Sequence, residues 1–496
     1  MRTLAALAFV LIAGSAPGAD WPMRGGSPTR NPVSLEKNAP SDWQIETEDA
    51  KPRNIKWSAQ LGSRSHGGPV VSGGLVWVGT NNEKPLDPKM TDDRSVLACF
   101  RESDGKFLSQ YAAHRIGDDL RDWPKRGLSG SPLIEGDRIW FCNSRKEIVC
   151  LDVEPLRTGK GRPREVWTFD MVKELKLDLF DLHIPGHDTH GSPAAYKDFL
   201  YVPTGNGINR DPWISGTPNG PTLVCLRKDT GKLVWKVDSP GPGHRFGHYA
   251  SPLVVEIGGK VQAIHPQGDG WVRSFDAETG KLLWKFDPNP VGVTWIEERR
   301  DVAEAEVVRN CVMGAPVYAN GRVYFAHGCS PEAGGGPGRL FCIDPTKAGD
   351  VSPELDNGKG KGKPNPNSAL VWDFEKVGMK KTNRIHQSIS PVAVHDGFVI
   401  ATDFYGIVHC LDEKTGQRHW SHDTKTGQVY GGPLVADGKI YVGTSAGDVW
   451  VFELAKAKKL LAKNEFNQGI IAPPVFANGV LYVLTEAQLY AIGRKP

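Results

Sequence analysis

The chain has 496 residues, with 57 glycines, 37 prolines and a formal net charge of +3. A length of this order ordinarily means about three domains, but so much glycine and proline is what a turn-dense all-β chain requires. So small a net charge, with no basic block interleaved with aromatics, argues against a nucleic-acid partner.

Residues 1–19 join a lone Arg2 to an apolar run from Leu4 to Ala13 and small residues from Gly14 to Ala19. This is the pattern of a secretory signal peptide, cleaved after Gly18 or Ala19. No cysteine follows the apolar run, so lipid attachment there is not expected. No other stretch approaches the ~18 to 20 apolar residues of a membrane span. The expectation is an exported monomer, periplasmic or extracellular, with no transmembrane segment. Residues 20–54 form a leader outside the repeats described next.

From residue 55 to 496 the chain repeats one unit eight times. The clearest copy is Ser251 to Asp287, with four apolar runs at Leu253–Glu256, Val261–His265, Trp271–Phe275 and Leu282–Phe286. Turn signals separate them, Gly258-Gly259 and Thr279-Gly280-Lys281 among them, so each copy reads as a four-stranded antiparallel meander, strands A to D. Copies open on Pro69, Pro132, Pro193, Pro252, Pro316, Pro391, Pro433 and Pro474. Strand D carries a tryptophan in most copies: Trp167, Trp235, Trp284, Trp372 and Trp420. The last copy ends at Ala491-Ile492 with no room for strand D, while an unassigned strand with Trp57 precedes the first. The fold expected is therefore an all-β, eight-bladed propeller of four-stranded antiparallel blades, closed by an N-terminal strand so that no sheet edge is left open.

Cys99, Cys150, Cys225, Cys342 and Cys410 occupy one equivalent position of strand C, so each is expected as a small buried residue of its own blade, too far from the next to bridge. Cys311 and Cys329 lie one step off register across the Asn320-Gly321 turn, and both a bridge and two buried thiols are open there.

The run Ser274-Phe275-Asp276-Ala277-Glu278-Thr279-Gly280-Lys281-Leu282-Leu283-Trp284 and the opening Asp20-Trp21-Pro22-Met23-Arg24-Gly25-Gly26 resemble the repeat and leader of quinoprotein-type propellers. That superfamily includes dehydrogenases dependent on pyrroloquinoline quinone (PQQ) and the BamB-like assembly propellers. The resemblance covers roughly residues 20 to 496. It implies the fold; the fold hosts both enzymes and scaffolds.

Turns from A to B are uniformly tight, and most turns from C to D are too; of the two longer ones, Val153 to Arg164 and Asp344 to Asn367, the second has the composition of a mobile surface loop. The long insertions join B to C or D to A, which places them on one face, where function is expected. The residues three before each strand A proline ring the channel mouth on that face: His66, Ser129, His190, Tyr249, Met313, Ser388, Tyr430 and Ile471. Adjacent to them come His187, Asp188, His244, Arg245, His248 and His386. Six of the 14 histidines thus share one mouth. Three readings stay open: a wet polar rim, a metal site built on His187, His190 and His248, or a seat for an anionic or sugar-like ligand anchored by Arg245 or Arg384. Trp123, Trp213 and Trp295 in the long loops are candidate anchors for a partner, whereas the strand D tryptophans are expected between blades.

The quinoprotein dehydrogenases hold PQQ under a disulfide of adjacent cysteines, with Ca²⁺ beside it; this chain has no Cys-Cys pair and no C-x-x-C-H. Nor does it contain H-E-x-x-H or a phosphate-binding glycine loop. The functional expectation is a non-catalytic scaffold that binds a protein, glycan or small molecule on the long-loop face, with no catalytic residue and no committed cofactor. The alternative is a dehydrogenase of small alcohols or sugars using PQQ with Ca²⁺.

Overall fold

Alternating apolar residues and glycine turns set each blade. The computed structural model describes residues 18–114, 127–177, 191–205, 217–243, 250–295, 309–328, 338–374 and 385–494. In the fourth repeat the strands are Leu253–Ile257, Lys260–Pro266, Val272–Asp276 and Leu282–Phe286, paired antiparallel in chain order. They match the sequence-based strands to within a residue or two. Eight such blades span residues 70–114, 133–170, 194–237, 253–286, 317–374, 393–423, 434–465 and 475–492, and they close into a ring.

The eighth blade borrows its outer strand from the other end of the chain. Ile55–Gln60 pairs antiparallel with Gln488–Ile492, and Trp57 lies opposite Ala491. That register matches Trp167 opposite Cys150, Trp235 opposite Cys225, Trp284 opposite Ser274, Trp372 opposite Cys342 and Trp420 opposite Cys410. Trp57 is therefore the missing tryptophan of the repeat.

What these tryptophans do is dock one blade on the next. The indole N–H of Trp57 donates to the Glu102 carbonyl of the first blade at 2.8 Å, and Trp167, Trp235, Trp372 and Trp420 donate to Lys228, Ala277, Glu413 and Ala455 of the blades that follow theirs. In four of these contacts the ring lies flat on the turn glycine. A Cβ on Gly105, Gly231, Gly280 or Gly416 would sit within 2.9 Å of the indole, and all four glycines have φ near +70°. Two independent reasons thus require glycine there. The turn before it is fixed by an aspartate: Asp276 Oδ1 accepts from the Thr279 N–H and hydroxyl at 2.9 and 2.8 Å, as Asp412 does from Thr415.

Trp284 departs from the rule because the next blade has replaced its turn. The stretch Asp344 to Asn367, expected as a mobile surface loop, carries regular structure: Gly349–Asp350 runs parallel beside strand D of blade 4, with Gly349 opposite Trp284, and Glu354–Asp356 pairs with Gly362–Pro364. Its loss of freedom is offset by the paired edge. Trp284 turns its N–H to Gln262 Oε1 instead, 2.8 Å away.

Strands B and C are buried on both faces because blades stack face to face. Leu75–Asn81 is buried throughout, and Trp77 and Leu97 of the first blade pack with Ile139 and Phe141 of the second. The repeat cysteines Cys99, Cys150, Cys225, Cys342 and Cys410 lie in this interior, unbridged, as does Cys142. Burial pushes the thiols of Cys142, Cys150, Cys225, Cys342 and Cys410 up to about 12. Cys311 is buried and its carbonyl accepts from the Gly328 N–H at 2.9 Å; Cys329 lies outside the described residues.

The leader, which lies outside the repeats in sequence, packs against the ring in space. Residues 21–36 enter the central channel and bond to the innermost part of every blade in turn. Trp21 exchanges hydrogen bonds with Val71 at 2.8 and 3.0 Å, and the Pro22 carbonyl accepts from Ile134. Arg30 donates to the carbonyls of Ser192, Pro193 and Pro252 in blades 3 and 4. Thr29 accepts from Tyr318, Asn31 bonds Val394 in both directions, and Val33–Ser34 runs parallel to Val435–Ala436. Finally the Glu36 carboxylate accepts from the N–H groups of Asn478 and Gly479 at 2.9 and 2.6 Å. Farther out, Trp43 packs on Phe466 and its main-chain N–H donates to Asn464 Oδ1, covering the edge of blade 7, whose strand D lacks a tryptophan.

Replacing Trp57 with alanine removes a nearly buried indole and its cross-blade bond; the expected loss is about 3–5 kcal/mol by urea unfolding, with Gly105→Ala moving stability in the same direction. Titration with an aromatic disulfide reagent should find the native thiols silent, and protein denatured without reductant should release at least the six thiols named above.

Candidate functional site: the central channel and its long-loop mouth

Strand A begins, in each blade, with a short stretch that crosses from the long-loop face into the channel. Small residues dominate it because neighbouring stretches nearly touch. A Cβ on Gly314 would lie 2.4 Å from the Ser390 carbonyl, and one on Gly431 would lie 2.3 Å from the Pro473 nitrogen. Serines stitch the stretches together: the Ser131 N–H donates to Ser192 Oγ at 3.0 Å, the Ser192 N–H donates to Ser251 Oγ at 2.9 Å, and the Ser390 hydroxyl donates to the Tyr430 carbonyl at 3.1 Å. The channel wall is a hydrogen-bonded belt.

Its floor is the leader. Between Met23 and Arg30 the leader makes a tight loop in which Gly25 and Gly26 both have φ near +78°, and a Cβ on Gly26 would strike the Trp21 ring at 2.7 Å. Arg30, 1% exposed, is held by four carbonyls: Ser192, Pro193, Pro252 and, through Nη1, Arg24. Burial, and after it the charge of Arg24, pull the Arg30 guanidinium down to about 9. Above this loop a narrow cavity is lined by Arg24, Gly68, Ser131, Ala315, Pro391 and Gly431. Among the described residues, no carboxylate lines it.

Of the mouth residues picked out in the sequence, His66, Ser129, Met313, His386, Ser388, Tyr430 and Ile471 belong to the described part, and His66, His386 and Tyr430 are partly buried. His187, Asp188, His190, His244, Arg245, His248, Trp123 and Trp213 lie outside the described residues, as do Tyr249 and Arg384. His66 belongs to blade 1. His386 and Tyr430 are brought together at blades 6 and 7 by residues that sequence reasoning passed over, namely Asp403, Phe404 and Tyr405. Asp403 stands in the turn from strand B to strand C, where an aspartate reads simply as a turn former.

That turn organises the rim. Asp403 Oδ1 accepts from the N–H groups of Tyr405 and Ile407 at 3.1 and 2.9 Å, and Oδ2 lies 2.7 Å from His386 Nδ1 and 3.9 Å from His409 Nε2. Burial alone would raise the Asp403 carboxyl, but the bond with His386 and the nearby His409 ring prevail and hold it at about 2. The His386 ring meets the edge of Tyr405 at 5.3 Å, and Phe404 meets Tyr430 at 5.1 Å. Tyr405 itself is 52% exposed. The arrangement presents a rigid aromatic and imidazole surface to solvent. Among the described residues, no three His, Cys, Asp or Glu side chains converge as metal ligands, and no helix is long and apolar enough to cross a membrane.

Known proteins share this architecture and part of this sequence. The family described as outer membrane protein assembly factor BamB matches residues 157–308, 363–461 and 406–495. The quinohemoprotein alcohol dehydrogenase ADH IIB of Pseudomonas putida is 26% identical over 185 residues, 36% of this chain and 23% of that protein. Lupanine 17-hydroxylase of a Pseudomonas species is 26% identical over 239 residues, 47% of this chain and 29% of that protein. The chain thus spans only about a quarter of the length of these relatives. BamB from Moraxella catarrhalis has the same fold with a TM-score of 0.52, at 13% identity, covering 88% of this chain and 96% of that one.

Because the folded Asp403 carboxyl titrates below the ~3.9 of an unfolded aspartate, its contribution is complete above pH 4 and is lost as pH falls through about 2. Asp403→Asn should therefore lower stability at pH 7 by about 2 kcal/mol, and in acid unfolding curves the gap to the parent protein should narrow between pH 4 and pH 2.

Proposed function

The chain belongs to the BamB family of PQQ-repeat propellers, and from that premise we propose that it is an exported, non-catalytic scaffold whose long-loop face binds a partner protein or a glycan. The single observation that carries this reading is the rim at blades 6 and 7. Tyr405 projects from a turn clamped by Asp403, beside His386 and Tyr430, and a rigid exposed aromatic loses little entropy when a partner covers it. Trp123 and Trp213, on insertions of the same face, extend the proposed surface. Its members are His66, His386 and Tyr430, with His187, Asp188, His190, His244, Arg245 and His248 contributed by the segments between blades.

Export is part of the proposal. The Ala19 N–H donates to Glu36 Oε1 at 2.9 Å, and Asp20 and Glu102 both accept from Asn478 beside it. Cleavage after Gly18, with Ala16 and Gly18 as the small residues that signal peptidases favour, would put a new α-ammonium in the middle of these three carboxylates. Intact mass of secreted protein should then begin at Ala19; a chain that keeps residues 1–18 in an exporting cell counts against it.

The partial matches to alcohol dehydrogenases support a second reading, a PQQ-dependent dehydrogenase of small alcohols or sugars. The described residues do not fit PQQ with Ca²⁺: the leader loop fills the channel floor, adjacent strands close the wall at Gly314 and Gly431, and no cluster of acidic side chains faces the cavity.

The two readings separate in one set of measurements. A photo-crosslinking residue at position 405 should give a discrete adduct in the native cell extract, and the same residue at Asp229, on the opposite face, should not. Purified protein dialysed after incubation with PQQ and Ca²⁺ should retain no quinone absorbance. Retained quinone with dye reduction would replace the scaffold by the dehydrogenase.

A further inference from the structure

Blades 3 and 4 end on nearly the same sequence. Strand D of blade 3 lies in Gly231-Lys232-Leu233-Val234-Trp235-Lys236-Val237-Asp238, and that of blade 4 in Gly280-Lys281-Leu282-Leu283-Trp284-Lys285-Phe286-Asp287. Of the strand D tryptophans, only Trp235 and Trp284 are followed by lysine. The two strands also share a register: Trp235 and Lys236 lie opposite Cys225 and Val224, as Trp284 and Lys285 lie opposite Ser274 and Arg273. The same main-chain groups therefore turn outward from both blades.

One of these twin edges is filled. Gly349–Asp350 runs parallel beside blade 4, the Val351 N–H donates to the Lys285 carbonyl at 2.9 Å, and Asp350 pairs with the Lys285 ammonium at 3.2 Å. The Ser352 hydroxyl accepts from the Asp287 N–H at 2.9 Å, and Val351 packs into the cluster that holds Trp284 and Phe286. Beneath this strand Trp284 is 1% exposed and Leu283 is partly buried. The other edge is bare. Among the described residues, Leu233–Val237 has no strand on its outer side, and Lys236 has no ion pair. Leu233 and Val234 are each 41% exposed, and Trp235 is only partly buried. The turn at Gly280 covers the face of the Trp235 ring, not the edge of its strand.

We propose that the outer edge of blade 3 binds an extended segment of a partner protein by strand addition, as blade 4 binds Gly349–Ser352. The segment has an acidic residue opposite Lys236, a small residue before it and an apolar residue after it. Its main chain bonds the outward groups of Lys236, and its carboxylate takes the ammonium as Asp350 does on blade 4. An edge lysine guards against indiscriminate pairing, because a neutral strand has to desolvate the ammonium whereas an acidic one neutralises it; the same charge thus selects the partner. The inference stands on the twin edges and not on the rim around Tyr405.

The probe is the protein's own insert, Lys347 to Pro353, as a fluorescein-labelled peptide titrated into the purified folded protein and followed by anisotropy. Saturable binding is expected. Methylating the valine nitrogen of the peptide removes the N–H that bonds the strand and leaves every charge in place, and binding should be lost. Lys236→Glu should weaken binding about fivefold to tenfold, and a peptide with lysine in place of the aspartate should prefer Lys236→Glu to the parent protein. Thr168→Glu, at the same position of blade 2, should change nothing. If Lys236→Glu does not fold, the methylated and charge-reversed peptides decide the case on the parent protein, where both should bind more weakly. Absence of saturable binding, or binding that methylation or the charge reversals leave unchanged, overturns the proposal. So does self-association in place of peptide binding, if Lys236→Glu abolishes it, because the edge then belongs to a second copy of the chain.

Discussion

Everything in this molecule depends on a flat indole lying on a glycine of the neighbouring blade. The contact is narrow in its demands. It needs a left-handed residue without a Cβ and a carbonyl oriented to take the indole N–H, held at Gly280 and Gly416 by an Asp-x-x-Thr turn. A four-stranded blade alone would be too small and too exposed to be stable. Docked face to face, the blades share apolar clusters that no single repeat owns, as where Trp77 packs against Ile139. The Tyr rings extend the same joint: Tyr201, Tyr324 and Tyr482 lie about 6 Å from Trp235, Trp372 and Trp57 and reach the next blade through their hydroxyls.

Where the joint is missing, something else covers the edge. Blade 7 has no strand D tryptophan, and Trp43 of the leader lies over Asn464 and Phe466 there. After Trp284 the inserted Gly349–Asp350 strand takes the place of the turn. An uncovered edge would be a template for association with other chains, so the substitutions keep the ring closed by different chemistry at the same places.

The ring was legible in the sequence because its signals repeat. Trp57 could be assigned to the last blade only because five other tryptophans define its register, and the buried cysteines could be read as structural for the same reason. The leader had no repeat to lean on. Its bonds run to the main chain of the blades, whether from its own main chain or from the side chains of Arg30, Asn31 and Glu36, and a main-chain partner carries no mark of residue identity. Asp403 was invisible for a related reason: its side chain does what many turn aspartates do, and only its distance to His386 sets it apart. The histidine-rich loops, the other half of the sequence-based site, lie in the segments between the described strands.

The N-terminal sixty residues carry both devices that finish the ring: the closing strand around Trp57 and the hub that reaches blades 1 to 8. The closing strand has no partner until the strand Gln488–Ile492 exists, and the hub is incomplete without Asn478. Contacts such as Trp57 with Ala491 or Glu36 with Asn478 span more than 430 residues of sequence. Contacts so distant in sequence make for slow assembly. Until the last blade is complete its outer edge lacks the Trp57 strand, so the chain remains an open arc, and the ring closes in one late step.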